Sequence, residues 1–230
     1  MDRAAPSVFA RLKAACAEDW ARYLDHGFVW QLGDGTLPEA CFRHYLAQDY
    51  LFLVQFSRAY ALAVYKSDDL ADMRQGAATL RALLETEMSL HVATCARWGL
   101  SEAEMAAVTE AEPNLAYTRF VLDAGAAGDL LDLLVALAPC VVGYAEIGAA
   151  LKDRAVALDS NPYGDWIEMY AGADYQQVAA AAIGQLDRVA ARRLGEAPAA
   201  SPRWPGLARL FATATRLEIG FWDMGLAPPS

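Results

Sequence analysis

The chain has 230 residues, 56% of them hydrophobic, and a formal net charge of −10. That length suits one large domain or two small ones, and that hydrophobic share builds a thick core and excludes a disordered chain. The negative charge repels a phosphate backbone and Arg192-Arg193 is only a pair, so no nucleic-acid partner is expected.

Nearly every segment has a helical period. The pattern predicts a first helix from Ser7 to about Leu24, then a loop at Gly33-Asp34-Gly35-Thr36. Pro38 stands early in a long helix to about Lys66, a position that suits its missing N–H. A third helix runs from about Asp68 to Trp98 and stops at Gly99. Ser101 and Glu104 have the spacing of a capping box at the start of a short helix. Helices over Asn114–Ala126 and Asp129–Arg154 follow, the second expected to kink at Pro139, which removes one helix hydrogen bond and crowds the Val135 carbonyl. Tyr163–Tyr170, Asp174–Leu194 and Pro205–Met224 complete the set, with a short Ala/Pro-rich loop at Gly195–Pro202. Alternating β-branched runs, repeats and low-complexity linkers are missing from the sequence. The expectation is a single all-α domain over residues 1–230, a helical bundle.

The longest apolar runs are broken by charge before the length needed to span a bilayer, so no membrane partner is expected. Met1-Asp2-Arg3-Ala4 lacks the basic and apolar regions of a secretory signal. Cys16, Cys41, Cys95 and Cys140 have no CxxC spacing, which fits reduced thiols and a cytoplasmic location.

Several polar residues stand in apolar stripes. The stripe of the second helix reads Phe42, Leu46, Asp49, Leu53, Phe56, Tyr60. A carboxylate there costs several kcal/mol unless it is paired, so Asp49 either caps or pairs structurally or serves a site. The stripe of the third helix reads Met73, Ala77, Leu80, Leu84, Glu87, His91, Thr94, Trp98. Glu87 and His91 are one turn apart and form either a metal half-site or an ion pair. Their Glu-x-x-x-His spacing departs from the Glu-x-x-His of di-iron bundles, and His26 and His44 carry no matching motif, so no metal is expected. Glu218 lies among Ala214, Leu217, Phe221 and Trp222, surroundings that raise a carboxyl pKa and suit a proton shuttle; the competing reading is a surface glutamate at the stripe's edge. Cys140 follows Pro139 in an apolar run and reads either as a nucleophile or as a small buried hydrophobe. Tyr144 is four residues on, hence on the same helix face. Tyr117, Tyr144 and Tyr170 sit in aromatic or apolar settings that suit core packing as well as a site.

The run of motifs Gln48-Asp49-Tyr50, Glu87-Met88-Ser89-Leu90-His91, Ala116-Tyr117-Thr118, Pro139-Cys140 with Gly143-Tyr144-Ala145-Glu146-Ile147-Gly148, Trp166-Ile167 with Tyr170, and Glu218 with Phe221-Trp222-Asp223-Met224 resembles the TenA family of thiaminase II, or aminopyrimidine aminohydrolase, proteins. The resemblance runs in order from Phe28 to Met224. It implies a haem-oxygenase-like all-α fold without haem or other cofactor, usually as a homotetramer. It implies hydrolysis of 4-amino-5-aminomethyl-2-methylpyrimidine to the hydroxymethyl pyrimidine and ammonia, and cleavage of thiamin to pyrimidine and thiazole. The family divides by a nucleophilic cysteine, which this sequence keeps as Cys140. By motif match, Cys140 is the nucleophile, Glu218 the acid/base, and Asp49, Tyr117, Tyr144 and Tyr170 surround the pyrimidine. Three residues after Asp49, where members of the family also carry tyrosine, stands Phe52, which keeps the stacking surface and lacks the hydroxyl.

These residue types suit that chemistry. Tyrosines and Phe52 stack on a flat ring, and a carboxylate such as Asp49 matches the amidine-like edge. A thiolate adds to the ring, and a carboxyl shuttles the proton. Three other readings stay open: another cofactor-related enzyme on the same fold, a regulator, and a non-catalytic protein that binds thiamin or its pyrimidine.

Overall fold

Ser7 Oγ accepts the Ala10 N–H and starts α1 (Val8–Ala15). The computed structural model describes residues 6–154 and 158–229; Met1-Asp2-Arg3-Ala4, the stretch without a secretory pattern, lies outside the described residues. The single helix expected to Leu24 is two. Cys16 (φ −131°, ψ 39°) leaves the helical region, ends α1 and precedes α2 (Ala17–Leu24). The break lets Trp20 stack on Phe211 at 5.6 Å while its edge meets Phe9 at 5.4 Å. A further helix, α3 (Gly27–Asp34), is capped by His26 Nδ1, which accepts the Phe28 N–H, and ends at Gly35 with φ 78°. Eight residues bounded by glycines give too little periodicity to read from sequence.

Pro38 is the N-cap of α4 (Glu39–Lys66), the long helix expected there. The third expected helix is α5 (Leu70–Ala82), a π-helical turn at Leu83–Glu87, and α6 (Met88–Arg97), stopped by Gly99 at φ 70°. The π turn corrects the sequence stripe. Met73, Ala77 and Leu84 are exposed, while Asp72, Gly76, Leu83 and Cys95 are buried. The inward face thus reads one residue earlier in α5, and the wider π turn keeps residues four apart, Leu83, Glu87 and His91, on one side. Both bonds of the Ser101/Glu104 capping box form at α7 (Glu102–Ala107). Then come α8 (Glu112–Ala127), α9 (Leu130–Arg154), a 3-10 turn at Leu158–Ser160, α10 (Gly164–Ala171), α11 (Ala173–Leu194), a 3-10 turn at Pro198–Ala200 and α12 (Trp204–Leu226). No strand occurs among the described residues, and the all-α class is as expected.

The chain divides into two compact units, one of residues up to Thr36 with Leu134–Ile219, the other of Leu37–Leu133 with the residues from Gly220 on. In the first unit α11 packs on α1 and α10, and Asp187 Oδ1 accepts the Val8 N–H at 2.7 Å. In the second unit α4 is the axis, packed by α5, α6, α7 and α8. Gly76 allows α5 close to α4: a Cβ there would stand 3.0 Å from Val64 Cγ2.

By length and composition alone α9 is apolar enough to cross a membrane, which the sequence reading of broken apolar runs did not anticipate. In the structure 89% of its most apolar stretch is buried by protein. Its one interior acid, Glu146, accepts from Lys13 Nζ at 2.7 Å and from Trp20 Nε1 at 3.0 Å. The helix carries through Pro139 without a break.

Candidate active site

Asp49 is buried on α4 of the second unit, 7% exposed. Among the described residues its basic neighbour is a histidine, not an arginine. His91 Nδ1, from α6, lies 3.4 Å from Asp49 Oδ2. His91 Nε2 is 2.9 Å from the Leu46 carbonyl oxygen, one turn before Asp49 on α4. Burial pushes the Asp49 carboxyl up to about 7. Glu87 is also pushed up to about 7, by burial first and the Asp49 charge second. Burial lowers His91, against the raising effect of the Leu46 carbonyl, and pushes the Cys95 thiol up to about 12 with help from Asp49. The Glu87–His91 ion pair considered from sequence is not among the contacts of the described residues; His91 faces Asp49 instead. Nor does any group of three or more His, Cys, Asp and Glu side chains among the described residues have the disposition of a metal site.

Aromatic rings surround this part of α4. Phe52 lies one turn after Asp49 and stacks on Phe56 at 5.1 Å. It meets Tyr117 of α8 at 5.4 Å and the edge of Phe221 of α12 at 5.6 Å. The register of α4 against α8 is set by Gln48, beside Asp49. Gln48 Nε2 donates to the Thr109 carbonyl, and Gln48 Oε1 accepts the Ala111 N–H, both at 2.9 Å. Asn114 Nδ2 donates back to the Gln48 carbonyl at 2.9 Å. These bonds fasten the start of α8 to α4 and so bring Tyr117, one turn later, against Phe52. Neither polar residue announces this role in sequence, because the partner backbone lies about 60 positions away.

In the first unit, Cys140 and Tyr144 occupy successive turns of α9, and both are buried. Tyr144 packs on Trp166 at 5.8 Å and on Tyr170 at 4.9 Å, both from α10. Trp166 and Tyr170 touch at 4.5 Å, and Tyr175 of α11 closes edge-on over Tyr170 at 4.7 Å. Gln176 pins the cluster by donating to the carbonyls of Ala145 and Tyr170, each at 2.9 Å. Its part was invisible in the sequence for the same reason as that of Gln48. Tyr23 Oη donates to the Pro139 carbonyl at 3.4 Å. Glu218, on α12, is 1% exposed, which excludes the surface-edge reading. Cys16, Cys41, Cys95 and Cys140 are buried, and none of the four is in a disulfide.

The second unit therefore holds Asp49, Phe52 and Tyr117 together, and the first carries Cys140, Tyr144 and Glu218, all buried, with Tyr170 half-buried. A buried acid beside stacked rings, and a buried thiol one helical turn from a tyrosine, are parts fit for a flat polar ligand and for nucleophilic addition.

The architecture is the haem-oxygenase-like all-α fold. The same fold occurs in a domain from Shewanella denitrificans at a TM-score of 0.68 and 14% identity, covering 94% of this chain and 90% of that one. The chain belongs to the TENA/THI-4/PQQC family, whose model matches residues 14–227. It is similar to an uncharacterized protein of Haemophilus influenzae, 41% identical over 90% of this chain and 93% of that one. It is 38% identical to the aminopyrimidine aminohydrolase of Halalkalibacterium halodurans, over 89% of each chain. Among solved structures it is similar to a TenA family transcription regulator from Silicibacter sp., with a TM-score of 0.93 and 50% identity over 96% of each chain.

Proposed function

We propose that the protein is an aminopyrimidine aminohydrolase of thiamin salvage, acting on 4-amino-5-aminomethyl-2-methylpyrimidine and also cleaving thiamin. The observation that carries this reading is the 38% identity to the Halalkalibacterium halodurans aminopyrimidine aminohydrolase along nearly the whole length of both chains. The buried thiol of Cys140, one turn from Tyr144, supports it.

In this reading the Cys140 thiolate adds to the pyrimidine ring and a ring nitrogen takes a proton. The ring electrons then expel the amine of the aminomethyl group, which leaves as ammonia after accepting a proton. Water adds to the exposed methylene and loses a proton, and the C–S bond breaks as the ring nitrogen gives its proton back, which restores the aromatic ring and the thiolate. The net change is amine plus water to alcohol plus ammonia. Glu218 carries the protons in both halves, and its burial supports a role that needs exchange with the substrate rather than with solvent. Asp49 holds the amidine edge, and Phe52, Tyr117, Tyr144 and Tyr170 give the ring its stacking partners. The reaction uses no cofactor or metal. The family match extends through both units, which supports treating them as one functional domain. A cytoplasmic homotetramer completes the proposal.

A regulatory reading draws on the description of the Silicibacter relative. The net charge of −10 weighs against direct contact with DNA. Ammonia release from the aminomethyl pyrimidine separates the two: turnover that depends on Cys140 supports the hydrolase, and its absence in the purified wild type removes it.

A further inference from the structure

The closeness of Asp49 and His91 raises a question of proton count. The Leu46 carbonyl is an acceptor only, so the imidazole nitrogen facing it, Nε2, carries a hydrogen and donates it at 2.9 Å. In a neutral ring this leaves Nδ1 with a lone pair, and Nδ1 is the atom that faces Asp49 Oδ2 at 3.4 Å. A carboxylate oxygen opposite a bare ring nitrogen sets two lone pairs against each other in a dry site, where electrostatic interactions are strong. One proton between them turns that repulsion into attraction.

We propose that His91 is a positioning residue for Asp49: its Nε2–H is committed to Leu46, and its Nδ1 accepts a hydrogen bond from the protonated Asp49 carboxyl, so that Asp49 presents Oδ1 to the ring amino group of an aminopyrimidine. The inference rests on the substrate reading above. It assigns His91 a task that neither a metal half-site nor a bundle ion pair describes. The remaining titratable groups that interact with Asp49 among the described residues, Glu87 and Cys95, point the same way. Both feel its charge unfavourably, and neither offers it a positive partner. Burial lowers His91 and raises Asp49, which favours the neutral arrangement over an imidazolium–carboxylate pair. The π turn at Leu83–Glu87, immediately before α6, keeps Glu87 and His91 on the side that faces α4.

Glutamine and leucine at position 91 separate the alternatives. Gln offers an N–H to Leu46 and an oxygen to the Asp49 hydroxyl, but it cannot become a cation. His91→Gln is expected to keep the KM for the aminomethyl pyrimidine within about threefold of wild type, with the same pH dependence. His91→Leu is expected to raise KM about tenfold or more, the scale of one buried hydrogen bond. It is also expected to move the limb of the profile that reports Asp49 to lower pH, because the carboxylate no longer faces a lone pair. Thermal melts show whether each variant folds. The wild type supplies an independent readout: in ¹⁵N-histidine NMR of the free protein, His91 is expected to show a bare Nδ1 and a protonated Nε2 at neutral pH. An imidazolium or an Nδ1–H tautomer there overturns the inference, as does a Gln variant as damaged as the Leu variant. Lack of turnover by the wild type instead sinks the substrate reading, and the NMR result still decides the state of the pair.

Discussion

Gly148 of α9 stands where a Cβ would lie 2.6 Å from the carbonyl carbon of Tyr170 and 2.7 Å from the Ala171 nitrogen. The atoms in the way are backbone, which cannot swing aside. This close approach is what lets Tyr170 rest on Tyr144 at 4.9 Å. Gly148→Ala is therefore expected to destabilise the protein by about 1–3 kcal/mol in urea unfolding, the usual range for overpacking. It is also expected to raise the KM for the pyrimidine, because Tyr170 must move. A variant as stable and as active as wild type would mean that α9 and α10 separate at no cost.

Cys140→Ser is expected to abolish ammonia release while the protein remains folded and still binds the hydroxymethyl pyrimidine. A serine hydroxyl is a far weaker nucleophile than a partly ionised thiol. Serine at Cys16, Cys41 or Cys95 is expected to leave turnover intact, with a cost in stability because all three are buried. Near-wild-type turnover of Cys140→Ser would remove the covalent mechanism.

Asp49→Asn is expected to slow turnover by about 100-fold or more, the scale of removing one well-placed polar group from a dry site. Its stability carries a separate signature. Asp49 ionises near 3.8 when free and near 7 in the folded protein. Between those values the folded state holds the extra proton, so wild-type stability falls as pH rises through the window. Asn has no proton to lose. Relative to wild type, the variant is expected to gain on the order of a few kcal/mol from about pH 4 to about pH 7. Glu87 contributes in the same direction in both proteins, and His91, lowered by burial, in the opposite one, so the difference between the two proteins is the quantity to follow. Parallel stability curves would show that Asp49 ionises normally.

Glu218→Gln is expected to fold, to bind pyrimidine and to lose about 100- to 10,000-fold in turnover, the usual span of general acid–base catalysis. Glutamine keeps the shape in a site that is 1% exposed but cannot exchange protons. The pH–rate profile of the variant beside that of wild type is the measurement. An unchanged rate and profile would move the shuttle to another group, with Asp49 the next candidate.

Chelation by EDTA or phenanthroline is expected to leave activity unchanged. His91, the histidine nearest the candidate acid, already has Nε2 on the Leu46 carbonyl and Nδ1 against Asp49. One equivalent of iron, zinc or manganese per chain, with activity lost on its removal, would contradict this.

The sequence by itself determined the all-α class, most helix ends and the family. Those features are local or are carried by residue identity: the Ser101/Glu104 box, Pro38 before α4 and Gly99 after α6 act within a turn of themselves. It also marked Asp49 and Glu218 as misplaced polar groups, because a stripe of apolar residues shows its exceptions without any knowledge of neighbours. Only the tertiary structure decided what those groups meet. The break at Cys16 answers the packing of Trp20 on Phe9 and Phe211, and the π turn at Leu83–Glu87 shifted a stripe that a strict 3.6-residue period put in the wrong register. Gln48, Gln176 and His91 took their tasks from carbonyls 61, 31 and 45 positions away, in Thr109, Ala145 and Leu46 respectively. A hydrogen bond to a distant backbone carbonyl leaves no trace in sequence, since every residue offers the same carbonyl and folding alone selects which one comes within reach.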